Sequence, residues 1–276
     1  DYLSIETISG QTVKPLGLSA YPDMEMACVP AAFDAGIDYF FFYNLNYELI
    51  LKGLKKLCPK HRDRMVIATG SEARDVQELR TYRDDAMRKL GIDAIDIFYL
   101  LYVSPNDDMR DILSPEGALR ELEQWKSEGL IRYIGASTHN RPLSLDLIGT
   151  GRIDVLMHRY NMAHRKAEKK VLPAAHCADI PVVAFTCTRW GTLLKGHRNW
   201  SRDLPKPRAA DCYRYALHNP AVQLALTGPK TLEDLRQNLA VLDLGPEDNC
   251  AQLALWEEYG QLVYGDGTDS FEVQYP

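Results

Sequence analysis

Polar side chains suited to proton and anion chemistry stand where short apolar runs of the sequence end. Tyr102 and His139 each follow such a run, and Arg159 lies at the end of a third. A tyrosine hydroxyl and an imidazole can exchange a proton with a reacting carbonyl group. A guanidinium can hold a carboxylate or a phosphate through paired hydrogen bonds. These three side chains are candidate catalytic residues, provided that the fold brings them together.

The runs that carry these residues belong to a repeating pattern of short apolar segments and longer amphipathic ones. The short segments, rich in β-branched residues, cover residues 15–19, 38–42, 65–69, 95–101, 133–137, 155–160, 182–186 and 222–227. Apolar residues three or four apart predict helices over residues 24–35, 47–57, 76–90, 116–128 and 232–242. Eight buried strands alternating with helices predict an α/β fold, the (β/α)8 or TIM barrel, whose working loops follow the strands.

No linker, charge block or change of composition divides the 276 residues. We therefore expect a single barrel domain over residues 1–276. The segment from about 245 to 276 is expected to pack on the side of the barrel or over its mouth. Gly91 and Gly129 each follow a predicted helix with a cationic last turn, so both are expected to end helices with a positive φ.

Composition narrows the class of function. A formal net charge of −6 disfavours a sequence-independent nucleic-acid binder. No apolar run reaches the length of about 18 residues needed to span a membrane, and no leader is seen at the start, so a cytoplasmic protein is expected. Six cysteines without a CxxC pair indicate reduced thiols. His139, His158 and His164 show no HxH or HExxH spacing, so no metal site is predicted. The pattern leaves the oligomeric state open.

Several segments, in the same order, resemble the aldo-keto reductase family over nearly the whole chain. They are residues 32–40, 89–93, 128–137, 159–161 and 228–231. The resemblance is to a divergent bacterial branch marked by residues 159–165 and 188–191. It implies a (β/α)8 barrel, a small-molecule carbonyl substrate and hydride transfer from NADP.

The family's usual aspartate, tyrosine, lysine and histidine are absent from the positions that the resemblance gives them. These positions hold Phe41, Asn46, Gly70 and Leu101. Because general acid catalysis contributes about 10² to 10⁴ in rate, ordinary carbonyl reduction by this chain should be slow. Tyr47, one residue beyond the tyrosine position, and Tyr102 are the candidate replacements for the proton donor.

The resemblance also implies where a nicotinamide cofactor binds. The candidate cofactor-binding residues are Ser137, Thr138, Thr186, Arg189, Gly228, Lys230, Thr231 and Asn238. The family's glutamine on the sixth strand is replaced by Met157. Asp234 would repel the 2′-phosphate of NADP if it faced the site, but Thr231 and Asp234 also fit a plain helix cap. Both interpretations remain open.

Three functions are compatible with the sequence. The first is an aldo-keto reductase-like oxidoreductase with a non-standard active site, using NADP on a small organic carbonyl or acidic substrate. The second is a cofactor-independent isomerase, cyclase or lyase that uses His139 and Arg159. The third is a non-catalytic ligand-binding protein that keeps the barrel.

Overall fold

Eight parallel strands pair in chain order and close into a barrel in the computed structural model, which describes residues 4–265. The strands are β1 (Leu16–Ser19), β2 (Tyr39–Phe41), β3 (Val66–Ser71), β4 (Ile95–Leu100), β5 (Ile131–Thr138), β6 (Val155–Arg159), β7 (Val182–Phe185) and β8 (Val222–Thr227). Strand β8 pairs with β1, which completes the ring. The predicted (β/α)8 barrel is confirmed.

Helices lie outside the strands and connect them. They are α1 (Cys28–Asp34), α2 (Glu48–His61), α3 (Val76–Leu90), α4 (Met109–Leu113), α5 (Ala118–Ser127), α6 (Arg141–Gly149), α7 (Val171–Cys177), α8 (Ala209–His218), α9 (Leu232–Leu244) and α10 (Cys250–Tyr264). Gly91 ends α3 with φ 69°, and Gly129 follows α5 with φ 76°, as their positions predict. Within residues 4–265 no helix is long and apolar enough to cross a lipid bilayer.

Two tyrosines fill the interior of the barrel. The hydroxyls of Tyr39 and Tyr99 lie 2.8 Å apart, and both side chains are fully buried. Gly17 and Gly135 give them room, because a Cβ at Gly17 would stand 2.8 Å from the Tyr39 ring and one at Gly135 would overlap the Tyr99 ring. Close packing of large against small residues therefore fixes these strands relative to one another.

The amino-terminal end of the barrel is closed by a buried ion cluster and an N-terminal turn. The carboxylate of Asp96 lies 2.7 Å from Arg62 and 2.8 Å from Arg132. Arg132 also donates to the backbone carbonyl of Glu6, in a turn held by an antiparallel bridge between Glu6 and Thr12. Paired guanidiniums offset the cost of burying the carboxylate. The amino-terminal end of the barrel is thus occupied by side chains and backbone of the chain itself.

Helix α10 packs against loops at the carboxyl end. A Cβ at Gly260 would overlap the carbonyl of Met162, so the helix backbone touches the loop after β6. The Tyr259 hydroxyl donates to the carbonyl of Leu193, 2.7 Å away, in the loop after β7. Helix α10 belongs to the segment from about 245 to 276 that the sequence predicts to pack on the barrel. Residues 266–276 of this segment lie outside the described residues.

The tyrosine packing gives a test of the barrel interior. We expect Gly135→Ala to lower the free energy of unfolding by about 1 to 3 kcal/mol, because the added methyl group overlaps the Tyr99 ring. Gly149→Ala is the matched control, since a Cβ there meets no atom of another element within 4 Å, and an alanine in helix α6 should leave the stability equal or slightly higher. Urea denaturation followed by circular dichroism compares the two variants. Equal stabilities would show that Gly135 is not needed to accommodate Tyr99.

Candidate active site at the carboxyl end of the barrel

A cleft of about 740 Å³ opens at the carboxyl end of the strands. Its floor is apolar and consists of Phe41, Leu101, Met157 and Leu226. Its walls come from the loops after the strands, as expected for a barrel of this type. The volume lies within the range of small-molecule and cofactor sites. We refer to this space as the cleft.

The floor contains two of the positions at which the family resemblance implies catalytic side chains. Phe41 and Leu101 line the cleft and are only 5% and 6% exposed. Phe41 packs edge-on against Tyr99, with ring centroids 5.9 Å apart. Gly70 pairs with Tyr99 in the sheet, and a Cβ there would overlap the Tyr99 carbonyl oxygen. A larger side chain at position 70 therefore requires β4 to move.

Tyr102 and His139 stand together above this floor. Both line the cleft, and their rings meet edge to face with centroids 5.3 Å apart. His139 also packs edge-on against Phe185, at 5.0 Å. The neighbouring strands β4 and β5 end just before these residues, which brings them side by side. Two of the four predicted catalytic residues are thus adjacent in one cleft.

Tyr47 lies behind the cleft wall. Its hydroxyl donates to the Tyr43 hydroxyl, 2.6 Å away, and Tyr43 lines the cleft. Burial, and then the hydrogen bond with Tyr47, raise the pKa of the Tyr43 hydroxyl above its ordinary value, so Tyr43 is a weak acid. The sequence predicts Tyr47 as a candidate proton donor, whereas Tyr43 is the tyrosine of this pair that lines the cleft. The signal for Tyr43 was its spacing of two residues from Phe41, which places both on one face of an extended chain.

Arg159 lies in a second, smaller space beside the cleft, which we call the basic pocket. The basic pocket is lined by His139, Arg141, His158, Arg159, His164, Lys166, Ala167 and Tyr264. His139 lines both spaces and joins them. Arg159 is buried at the end of β6, where a guanidinium could face an anionic group.

His158 takes no part in proton exchange near neutral pH. Its Nδ1 lies 3.1 Å from the Ser144 hydroxyl on α6, on the helix side of the sheet. Burial, followed by the nearby His139 and Arg159, lowers the pKa of His158 to about 3. The ring is therefore neutral. Across residues 4–265 no group of three His, Cys, Asp or Glu side chains could hold a metal ion.

Asn161 ties the loop after β6 to the loop after β7. Its side-chain oxygen accepts from the backbone N–H groups of Ala163 and His164, at 3.0 and 2.9 Å. Its amide nitrogen donates to the Thr186 carbonyl, at 2.8 Å. The side chain therefore holds the loop after β6 and the loop after β7 in one arrangement.

Backbone strain is concentrated at this end of the barrel. Five non-glycine residues of the described chain have positive φ, and four of them, Tyr102, Thr186, Arg189 and Trp190, lie in the loops after β4 and β7. Such conformations are costly and cluster at binding and catalytic sites. Thr186 and Trp190 line the cleft. The Arg189 guanidinium instead donates to the carbonyl of Val263 on α10.

Cys187 lines the cleft but is not activated. It is buried, and burial raises the pKa of its thiol to about 12. A thiol that stays protonated at neutral pH is a poor nucleophile. This agrees with the structural role that a small apolar side chain has in a packed wall.

The predicted cofactor-binding residues divide between the cleft and its supporting structure. Ser137, Gly228, Lys230 and Asn238 line the cleft. The Asn238 amide nitrogen donates to the Thr227 hydroxyl, at 2.8 Å, which fixes the amide. Thr138 supports the loop after β5, where its hydroxyl accepts from the backbone N–H of Asn140.

Thr231 begins helix α9 rather than lining the cleft. Its hydroxyl accepts from the backbone N–H of Asp234 at 3.1 Å, and the Asp234 carboxylate accepts from the backbone N–H of Thr231 at 3.1 Å. This reciprocal pair is a capping box. Of the two interpretations left open by the sequence, the helix cap is present, and Asp234 also lines the cleft.

Parts of this chain are similar to curated proteins of two organisms. Among curated proteins, the chain is 25% identical over 199 residues to an NADH-specific methylglyoxal reductase of Escherichia coli (strain K12), covering 61% of this chain and 60% of that protein. It is 26% identical over 164 residues to an uncharacterized oxidoreductase of Schizosaccharomyces pombe (strain 972 / ATCC 24843), covering 56% and 49%. The matches thus span about half to three fifths of these relatives' lengths.

Solved structures with the same fold cover nearly the whole chain. The holo form of an aldo-keto reductase from Bacillus halodurans aligns with a TM-score of 0.75 at 18% identity, over 94% of this chain and 95% of that one. A Klebsiella pneumoniae aldo/keto reductase in complex with NADP and acetate aligns with a TM-score of 0.73 at 17% identity, over 94% and 96%. A profile of the Aldo/keto reductase family matches residues 19–254. The chain therefore belongs to the aldo/keto reductase family.

Proposed function

We propose that this protein reduces a small organic carbonyl compound with a nicotinamide dinucleotide, using a non-standard proton donor. The observation that carries the proposal is the continuity of the cleft. Its apolar floor lies beside Tyr102 and His139, and the same space extends to Lys230 and Asn238 near the start of α9. One space thus offers a reaction chamber and a site for a long ligand.

The residues of the cleft suit a dinucleotide. Trp190 lines it with half of its surface exposed, a suitable face on which a planar ring can stack. Ser137 and Asn238 line the cleft with polar side chains, and Lys230 offers a cation for a phosphate. When bound, the nicotinamide supplies the hydride. The relative with NADH in its name and the neighbour solved with NADP support a cofactor of this class.

Tyr102 is the proton donor in this proposal. Its ring lies against His139, and both side chains line the cleft beside the apolar floor. A tyrosine with a pKa near 10 is a weak acid, and a neighbouring imidazole helps it to share its proton as the oxyanion develops. Phe41 and Leu101 exclude water from the reacting carbon, which strengthens such interactions.

The substrate class follows from the missing supporting charges. Phe41, Gly70 and Leu101 provide no charged group to assist the tyrosine. A carbonyl made electron-poor by a second carbonyl beside it needs less help from an acid than a simple ketone does. We therefore propose a small dicarbonyl compound as substrate, a class to which the substrate named for the Escherichia coli relative belongs.

A second candidate function is favoured by His139, which lines both the cleft and the basic pocket that contains Arg159. In a cofactor-independent isomerase or lyase, Arg159 would hold an acidic group of the substrate while His139 moves a proton. The two candidates differ in their dependence on nicotinamide, so cofactor binding separates them.

We also propose that the barrel and helix α10 act as one domain in the cytoplasm. All six cysteines are free thiols in the structure. Unpaired cysteines agree with a reducing compartment.

Cofactor binding is expected to change the fluorescence of Trp190. Titration with NADH and with NADPH should give saturable quenching by at least one of them, with Kd below about 1 mM. Trp190→Phe should remove most of the signal, whereas Trp200→Phe, which alters a tryptophan outside the cleft lining, should retain it. Absence of binding of both cofactors at millimolar concentration, checked by calorimetry, would rule out the proposed reductase.

The proton donor is tested by removing single hydroxyls. With methylglyoxal as substrate, Tyr102→Phe should lower kcat by about 10²-fold or more, because the transition state loses its acid. Tyr43→Phe and Tyr47→Phe should change kcat much less, and cofactor Kd should be unaltered in all three variants. A wild-type rate in Tyr102→Phe would show that the proton comes from another group.

A further inference from the structure

The start of helix α9 is covered by two carboxylates of the chain itself. The Asp234 carboxylate accepts from the backbone N–H groups of Lys230, at 3.2 Å, and of Thr231, at 3.1 Å. The Glu25 carboxylate accepts from the next backbone N–H, that of Leu232, at 3.2 Å. Three consecutive donors at the helix start are thus already engaged.

Further contacts hold the Asp234 carboxylate and the backbone at Glu25. Glu25 comes from the segment before α1, and its backbone N–H donates to the carbonyl of Lys230 at 2.8 Å. Asp234 is fixed by the capping box with Thr231. The backbone at Glu25 is thus joined to the loop after β8, which places the exposed Glu25 side chain beside the start of α9.

This arrangement opposes a phosphate at this end of the cleft. In barrels of this type, the loops after the last strands and a helix start commonly bind phosphate through free N–H groups. Here those donors are engaged, and Asp234 itself lines the cleft. A phosphate at the helix start would have to displace the carboxylates or lie against two negative charges.

One cation stands nearby. Within the described lining of the cleft, Lys230 is the one lysine or arginine. Its ammonium lies 4.9 Å from the centre of the Tyr21 ring, so it packs on that ring rather than on a carboxylate of the helix start. A single lysine beside the carboxylates of Asp234 and Glu25 leaves a net negative charge at this end of the cleft, since Arg236 on the same helix pairs with Glu233.

Carboxylates do suit ribose hydroxyls, which donate hydrogen bonds that a carboxylate accepts. In other nucleotide-binding folds, an acidic side chain at the adenosine ribose selects NAD, and an arginine accommodates NADP. We propose that Asp234 and Glu25 make this cleft select the cofactor without a 2′-phosphate, NADH rather than NADPH. The inference rests on the proposed nicotinamide-dependent function.

The experiment compares Kd values for NADH and NADPH, and for the fragments 5′-ADP and 2′,5′-ADP. The wild-type protein should bind NADH at least about tenfold more tightly than NADPH, and the fragments should follow the same order. Asp234→Asn combined with Glu25→Gln should reduce this preference at least about fivefold, mainly by tighter NADPH binding, because both negative charges are removed. Thermal melts confirm that the variants are folded.

Glu233→Gln is the matched control. The Glu233 carboxylate lies in the same helix turn as Asp234 and pairs with Arg236. It is not one of the carboxylates that accept from the backbone N–H groups of Lys230, Thr231 and Leu232. In Glu233→Gln, the ratio of the Kd for NADPH to the Kd for NADH should stay within about twofold of the wild-type ratio. Equal or tighter binding of NADPH by the wild type, or a ratio that the double variant leaves unchanged, overturns the inference and leaves the reductase proposal standing. Failure of both cofactors to bind overturns both.

Discussion

The packing around Tyr99 is the constraint on which the site depends. Its ring occupies the space beside Gly135, its backbone lies against Gly70, and its hydroxyl meets that of Tyr39. Phe41 rests on the edge of the same ring and forms the floor of the cleft. With the interior filled to this level, a long charged side chain at position 70 has no room. The apolar floor is therefore a consequence of how the barrel is packed, and the chemistry is left to side chains above it.

Those side chains come from loops that are held by specific contacts. Asn161 braces the loops after β6 and β7, and α10 touches both, through Gly260 and Tyr259. The positive φ values at Tyr102 and Thr186 are maintained in this setting. Strained backbone persists where the surroundings over-determine it, and such places are often binding sites. The residues with strained backbone thus lie at the same end of the barrel as the cleft.

The fold was largely predictable because its signals are local. All eight apolar runs are strands, and residues 76–90 are helical over the predicted range. Helices α4, α6, α7, α8 and α10 have no counterpart among the five predicted ranges. Short elements such as α4 have little periodicity, and α10 packs through Gly260 on a loop distant in sequence. Residue pattern detects periodic burial but not contacts between distant segments.

The site was predictable only in part. The adjacency of Tyr102 and His139 follows from neighbouring strand ends, which a barrel of known strand order supplies. Arg189 donates to Val263, and the Tyr47 hydroxyl donates to Tyr43. Both contacts depend on loop conformations that residue spacing does not encode. The same is true of Glu25, which reaches α9 across 207 residues of sequence.

The central claim is that this cleft transfers hydride from a nicotinamide to a carbonyl carbon. The most direct measurement mixes the protein with methylglyoxal and NADH or NADPH carrying deuterium at C4, in separate 4R and 4S forms, and analyses the product by mass spectrometry. The expected result is one deuterium on the carbon of the new alcohol, delivered from only one of the two labelled forms. Product that contains no deuterium from either form, or that accumulates equally without nicotinamide, would contradict the claim.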